Sequence, residues 1–356
     1  MAKQWQGVLR EYAQQLGVTE ASTVVTLGEG GTPLIESRPL SAMVDGRVFV
    51  KFEGLNPTGS FKDRGMTVAV SRAVERGAKA IACASTGNTS AAAAAYAAAA
   101  GIQAVVLVPE GRISMGKLAQ SVVHGARIVQ IRGNFDDCLE ISKELAEHYP
   151  VHLVNSVNDD RIEGQKTASF EIVDVLGDAP DIHCIPVGNA GNITAYWRGY
   201  SEAETSGMAT KRPRMLGFQA AGAAPIVRGE VVRDPDTVAT AIRIGNPASW
   251  QGALDARDQS GGWIGAIEDA DILRAQRLLA SSTGVFVEPA SAISVAGLLE
   301  RHAAGEIPAG STIALTVTGH GLKDAQYGLR QDDGTDATPE AADADVAQVA
   351  QMLGLA

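Results

Sequence analysis

Aromatic residues are scarce in this chain: Phe, Trp and Tyr together make up 5% of 356 residues. The scarcity disfavours an aromatic-lined binding surface and favours close helix–sheet packing. Cysteine is rarer still. Cys83, Cys138 and Cys184 lie far apart, and none belongs to a CxxC pair. Cys83 and Cys184 fall in strand-like runs and read as buried apolar fillers, a usage that fits a reducing compartment. Basic residues are outnumbered, 30 Lys and Arg against 41 Asp and Glu, for a net charge of −11. This argues against nucleic acid or an anionic membrane as the main partner, while leaving room for a local basic pocket. No run approaches the roughly 20 apolar residues of a membrane span. The opening Met1-Ala2-Lys3-Gln4-Trp5 has no apolar signal core, so a cytoplasmic protein is expected. The six histidines form no metal site: His148 and His152 are four apart, but Pro150 breaks the helix that would align them. The dinucleotide fingerprint GxGxxG is absent throughout.

The chain does contain a long alternation of strand-like and helix-like segments. Strands are expected at Val48–Lys51, Ala80–Ala84, Gln103–Val108, Arg127–Ile131, His152–Val154, His183–Val187, Arg214–Phe218 and Thr312–Val317. Helices are expected at 61–76, 88–100, 115–124, 134–147, 161–176, 191–206, 268–282 and 290–302. Such alternation predicts an α/β protein of two three-layer domains with mostly parallel sheets, and a ligand crevice at the carboxyl ends of the strands. We expect a smaller domain at 52–152 and a larger one built from 1–51 plus 153–330. The acidic tail, 331–356, is expected to loop out and form a helix over about 340–353, started by Thr338-Pro339.

Three turns, each directly after a strand, carry the chemistry. In Asn56-Pro57-Thr58-Gly59-Ser60-Phe61-Lys62-Asp63-Arg64-Gly65 one lysine stands at a helix start. A helix N-terminus disfavours the ammonium form and assists an amine that must attack an aldehyde. An ordinary lysine there is a solvated cation; the surrounding pattern carries the functional reading. Ser85-Thr86-Gly87-Asn88-Thr89 offers hydroxyls and exposed N–H groups to a carboxylate or phosphate, or simply caps a helix. Gly188-Asn189-Ala190-Gly191-Asn192 lets backbone N–H groups turn toward an anion, or is a tight strand–helix turn. An amine and two such cradles are what an enzyme needs to hold pyridoxal 5'-phosphate. The stretch Gly111-Arg112-Ile113-Ser114-Met115-Gly116-Lys117-Leu118 has P-loop spacing, but Leu118 replaces the required Ser or Thr. A capped helix start accounts for it better.

Taken in order, these three motifs resemble those of the threonine synthase family, among the fold-type II (tryptophan synthase β-like) pyridoxal-phosphate enzymes. The likeness runs over roughly residues 25–325 and is nearest the short bacterial form. It implies that Lys62 forms the Schiff base, Asn88 bonds the cofactor's phenolic oxygen, Gly188, Asn189, Ala190, Gly191 and Asn192 hold its phosphate, and Thr318 faces the pyridine nitrogen. It further implies O-phospho-L-homoserine as substrate. Ser85, Thr86 and Thr89 would take its carboxylate or phosphate, and Asn155, Ser156 and Arg161 would form a second phosphate-recognition loop. Lys117 and Lys323 read better as solvated surface. Threonine, phosphate and a homodimer are the implied product, by-product and assembly. The nearest alternative is a threonine or serine dehydratase of the same fold; a more distant one is a catalytically silent binding protein on the same scaffold.

Overall fold

The computed structural model describes residues 4–111, 115–156, 158–330 and 335–355; the side chains of residues 115–117 and 135–136 also lie outside the description. Among the described residues ten strands alternate with helices: β1 Leu34–Glu36, β2 Arg47–Phe52, β3 Ala80–Ala84, β4 Gln103–Pro109, β5 Arg127–Ile131, β6 Val151–Leu153, β7 Ile182–Pro186, β8 Arg214–Ala220, β9 Trp263–Ile267 and β10 Thr312–Val317. The helices are α1 Val8–Glu11, α2 Arg38–Val44, α3 Lys62–Glu75, α4 Asn88–Ala100, α5 Met115–Val123, α6 Phe135–His148, α7 Asp159–Leu176, α8 Gly191–Thr205, α9 Pro225–Arg228, α10 Trp250–Gln259, α11 Asp269–Thr283, α12 Pro289–Ala303 and α13 Val346–Met352.

The strands form two sheets. One has six strands in the order β1-β2-β10-β7-β8-β9, and the other four in the order β5-β4-β3-β6. Every pairing is parallel except that of β1 with β2. The architecture is α/β, as the alternation of segments predicts, because parallel neighbours require a crossover helix. Period-two alternation splits the six-stranded sheet between two cores. Ile313, Leu315 and Val317 of β10 join one with α11 and α12, whereas Ala314 joins the other with α7, α8 and α10. In the four-stranded sheet, Ile81 and Cys83 pack with α3 and the alanine-rich α4. The small Ala side chains let α4 lie close to its neighbours, and Gly101 ends it in the left-handed conformation at φ 67°.

Two short strands, β1 and β9, were not expected from the sequence. Each gains its identity from a neighbour: β1 pairs antiparallel along β2, and β9 lines the outer edge of β8. The tail helix is shorter than expected. It begins at Val346 because Asp345 caps it, its side chain accepting from the Gln348 N–H at 2.8 Å; Thr338-Pro339 precedes it as irregular chain. Among the described residues no helix is long and apolar enough to cross a membrane.

One helix contact sets the geometry of the site. α3 and α7 cross where each has a glycine. A Cβ on Gly164 would lie 2.0 Å from the Arg64 carbonyl oxygen, and one on Gly65 would lie 2.8 Å from that of Arg161. Only two glycines allow backbones this close, and the crossing places the first turns of the two helices side by side.

Candidate active site

Lys62 is the first residue of α3, at the carboxyl end of β2 and the short turn that follows it. Its turn is fastened to the segment after β10: Phe61 N–H donates to the Thr318 carbonyl at 3.0 Å, His320 N–H to the Gly59 carbonyl at 2.9 Å, and Ser60 bridges Gly319. The turn is closed from within by Asp63, whose carboxylate accepts from the Thr58 N–H at 2.7 Å and the Thr58 hydroxyl at 2.6 Å. Burial pushes the Asp63 carboxyl up to about 7, the Thr58 hydrogen bonds opposing it. The half-buried Lys62 amine lies 4.2 Å from the centre of the Phe61 ring. Enclosure by protein lowers it to about 7; the Arg161 guanidinium pushes the same way and the Glu288 carboxylate opposes. An amine near neutrality at physiological pH can attack an aldehyde and can also carry protons.

The turn from Gly188 to Asn192 follows β7 and opens α8. Ala190 caps the helix in the left-handed region at φ 65°, so the first N–H groups of α8 face outward without intrahelical acceptors. A Cβ on Gly188 would come within 2.9 Å of the Ile242 Cα, so the turn needs glycine there. Asn192 is buried, and both its amide atoms lack hydrogen-bond partners among the described residues. Asn189 is fully used: its amide donates to the Ser156 hydroxyl and accepts from the Ala248 N–H at 2.6 Å.

Asn88 begins α4. Its amide donates to both oxygens of Glu288, each at 3.2 Å. Ser85, Thr86 and Thr89 sit around it, half-buried, with the Ser85 hydroxyl accepting from the Gly87 N–H at 3.2 Å. Thr318 stands just past β10, and its hydroxyl meets that of Ser291 at 2.8 Å. Ser291 also accepts from the Thr318 and Gly319 N–H groups at 2.9 and 2.8 Å, which fixes the strand end.

The loop after β6 divides its expected roles. Asn155 turns both amide atoms onto the backbone of Ala84, at 3.0 Å each, so it ties the loop to β3. Ser156 is joined to Asn189 of the neighbouring turn. Arg161, in the first turn of α7, is fully buried and spends only one nitrogen, donating to the Val154 carbonyl at 3.2 Å. Its Nε and Nη2 are without partners among the described residues. Burial lowers the guanidinium to about 10. A buried cation with two idle donors is costly without an anion. Lys323 is not solvated surface, as first read. Its amine donates to the Thr58 carbonyl at 2.7 Å and to Gln120 of α5 at 2.5 Å, bridging the lysine turn and the four-stranded unit. The side chain of Lys117 lies outside the described residues, as do Arg112 to Ser114 of the P-loop-like stretch.

Sequence reasoning missed Glu288, Ser291 and a buried cluster of four charges. Arg64 donates to Glu53 at 2.6 and 2.8 Å and to Glu171 at 2.5 and 2.8 Å, while Lys51 donates to Glu171 at 2.5 Å. The cluster is neutral in sum and joins β2, the turn after it, α3 and α7 beneath Lys62. Burial alone would raise Glu171; Arg64 and Lys51 outweigh it and hold the carboxyl at about 2. Pro289 at a helix start was the one available signal for Glu288, which occupies the N-cap position of α12.

The turns after β2, β3, β6, β7 and β10 thus converge through direct contacts. Their chemistry suits pyridoxal phosphate: a near-neutral amine, a glycine-shaped cradle at a helix start, and buried donors on Asn192 and Arg161 without partners among the described residues.

The sequence model for "Pyridoxal-phosphate dependent enzyme" matches residues 25–319. Threonine synthase of Mycobacterium tuberculosis (strain H37Rv) is 58% identical over 353 residues, covering 99% of this chain and 97% of that protein. Threonine synthase of Synechocystis is 57% identical over 325 residues, 91% of this chain and 85% of that protein. Among solved structures, maize serine racemase superposes with a TM-score of 0.71 at 24% identity, covering 82% of this chain and 88% of that one. A threonine deaminase from T.th. superposes with a TM-score of 0.68 at 27% identity, covering 81% of this chain and 92% of that one.

Proposed function

The chain belongs to the pyridoxal-phosphate dependent enzymes, and from that membership we propose that it acts as a threonine synthase, converting O-phospho-L-homoserine and water to L-threonine and phosphate. High identity to threonine synthases over nearly the whole chain favours this over the dehydratase reading, whose structural neighbours stand at 20–27% identity. The structural observation that carries the substrate assignment is Arg161: a fully buried guanidinium beside Lys62 with two donors awaiting an anion.

In this reading Lys62 holds the cofactor covalently through its amine, and Asn88, the turn Gly188 to Asn192, and Thr318 bind its ring and phosphate. The cofactor, when bound, withdraws electrons from the substrate's α-carbon and so acidifies first the α-proton and then a β-proton. The Lys62 amine, free once the substrate's amine has taken its place and poised at about 7, would be the group that takes and returns those protons. Arg161 and Ser156 hold the substrate phosphate while the Cγ–O bond breaks, and Ser85, Thr86 and Thr89 receive the carboxylate on the turn that leads into α4 and its first residues. Asn155 acts through the backbone it braces. Water then adds at Cβ.

The reading includes a homodimer in the cytoplasm. It also takes in a smaller mobile unit, expected at 52–152; the four-stranded sheet, Ala80–Leu153, supports its later part, while α3 is packed against α7. Incubation of the holoenzyme with O-phospho-L-homoserine tests the reaction: threonine and phosphate should appear in equal amounts. Formation of 2-oxobutyrate from threonine, with no threonine made, would establish the dehydratase instead.

A further inference from the structure

Glu288 belongs to none of the binding turns, yet it touches two of them. It is buried at the N-cap of α12, with 2% of its surface exposed. Both its oxygens receive the Asn88 amide at 3.2 Å, and its own N–H donates to the Gly319 carbonyl at 3.1 Å. Val287 bridges His320 beside it, so the carboxylate is locked to the same segment that fastens the lysine turn. Space around it is tight: a Cβ on Gly319 would come 2.4 Å from its Oε1.

We infer that Glu288 is a positioning residue for the cofactor lysine: it aims the Asn88 amide with both oxygens and, among the described residues, supplies the carboxylate whose charge acts on the Lys62 amine. The inference rests on the reading of Lys62 as the cofactor lysine and adds to it a carboxylate that opposes the loss of that lysine's proton.

The electrostatic reasoning is simple. The charged groups acting on Lys62 are Arg161 from the first turn of α7 and Glu288 from the start of α12. Two cations in an enclosed space repel, so without a carboxylate Lys62 would give up its proton at a lower pH than it does with Glu288 in place. Glu288 opposes Arg161 and keeps the amine able to hold a proton. Lys323, after β10, also faces Glu288, but its amine is held by the Thr58 carbonyl and Gln120. The Asn88 contact gives the carboxylate its second task. An amide whose Nδ2 is pinned by two oxygens has a fixed orientation, so its remaining N–H is directed rather than free to rotate.

The test is covalent capture of pyridoxal phosphate by the apo-protein, read as growth of the visible absorbance of the lysine–cofactor link across the neutral pH range. Glu288→Gln preserves shape and an acceptor for Asn88 but removes the charge. The pH midpoint of its capture rate should move down, so that well below the wild-type midpoint capture approaches about threefold faster, as expected of a midpoint lowered by about 0.5. Glu288→Asp, which keeps the charge, should return toward the wild-type midpoint, an outcome that loss of packing alone would not give. Should Glu288→Gln fail to fold, Gly319→Ala displaces the carboxylate sterically and should move the midpoint the same way. An unmoved or raised midpoint, with borohydride-trapped cofactor mapped to Lys62, overturns the role of Glu288. Trapped cofactor mapped elsewhere in the wild-type protein overturns the reading of Lys62 itself.

Discussion

Replacing Glu171 by Gln should cost far more stability than the loss of one hydrogen bond, and the structure says why. The Glu171 carboxylate accepts from Lys51 at 2.5 Å, from Arg64 at 2.5 and 2.8 Å and from the Gly31 N–H at 3.0 Å. All four charges of the cluster are buried, Lys51, Glu53 and Arg64 at 0% exposure and Glu171 at 5%. A Gln side chain keeps one acceptor oxygen, turns an NH2 group toward existing donors and leaves one buried positive charge uncompensated. Removing one partner of a buried pair costs about 3–5 kcal/mol. Lys51→Met leaves the opposite imbalance, one buried negative charge too many, and should cost about as much. The double variant Lys51→Met/Glu171→Gln restores neutrality, with Arg64 still held by Glu53. Its loss should therefore fall short of the sum of the single losses by at least about 1–3 kcal/mol, the coupling typical of contacting groups. Urea unfolding followed by circular dichroism measures all three. Additivity to within about 0.5 kcal/mol would refute the argument from charge balance.

The same cluster gives an acid limit. Glu171 titrates at about 2 in the folded chain against an ordinary 4.5, so the stability it contributes is present above 4.5 and is lost as pH falls from there toward 2; melting temperatures measured down that range should drop, and should drop less in Glu171→Gln. Gly164→Ala places a methyl 2.0 Å from a backbone oxygen of α3 and should lose about 2–3 kcal/mol, more than Gly65→Ala, whose contact is 2.8 Å; equal melting temperatures would show that the crossing relaxes freely. Arg161→Ala should raise the KM for O-phospho-L-homoserine at least tenfold while pyridoxal phosphate stays bound, and an unchanged KM removes Arg161 from the substrate site. Covalent capture of pyridoxal phosphate by wild-type apo-protein should accelerate as pH rises through about 7, where Lys62 becomes neutral; a flat profile would contradict the enclosure of its amine.

Much of the fold was legible because its signals are local. The eight expected strands all exist, and the three turns follow the carboxyl ends of strands, since a parallel α/β chain must place its strand–helix turns on one side. Lys62, Asn88 and the turn 188–192 stood out because their turns are short, contiguous and unusual in composition. β1 and β9 were hidden because they are strands by virtue of a neighbour, β1 running along β2 and β9 along β8. Asn155 and Lys323 were misread in role because composition does not tell which way a side chain turns. One braces Ala84, and the other spans from the end of β10 to the lysine turn and α5.

Sequence alone marked the three chemistry-bearing turns, the α/β alternation and the class of cofactor, because these depend on neighbours within a few positions. The tertiary structure decided what state those residues are in. Glu288 reaches Asn88 across 200 positions, and Arg64 reaches Glu171 across 107. Protonation depends on desolvation and on charges brought near by folding, and neither is a property of a stretch of chain. Lys62 becomes a near-neutral amine because the fold encloses it, with Arg161 pushing the same way and Glu288 opposing.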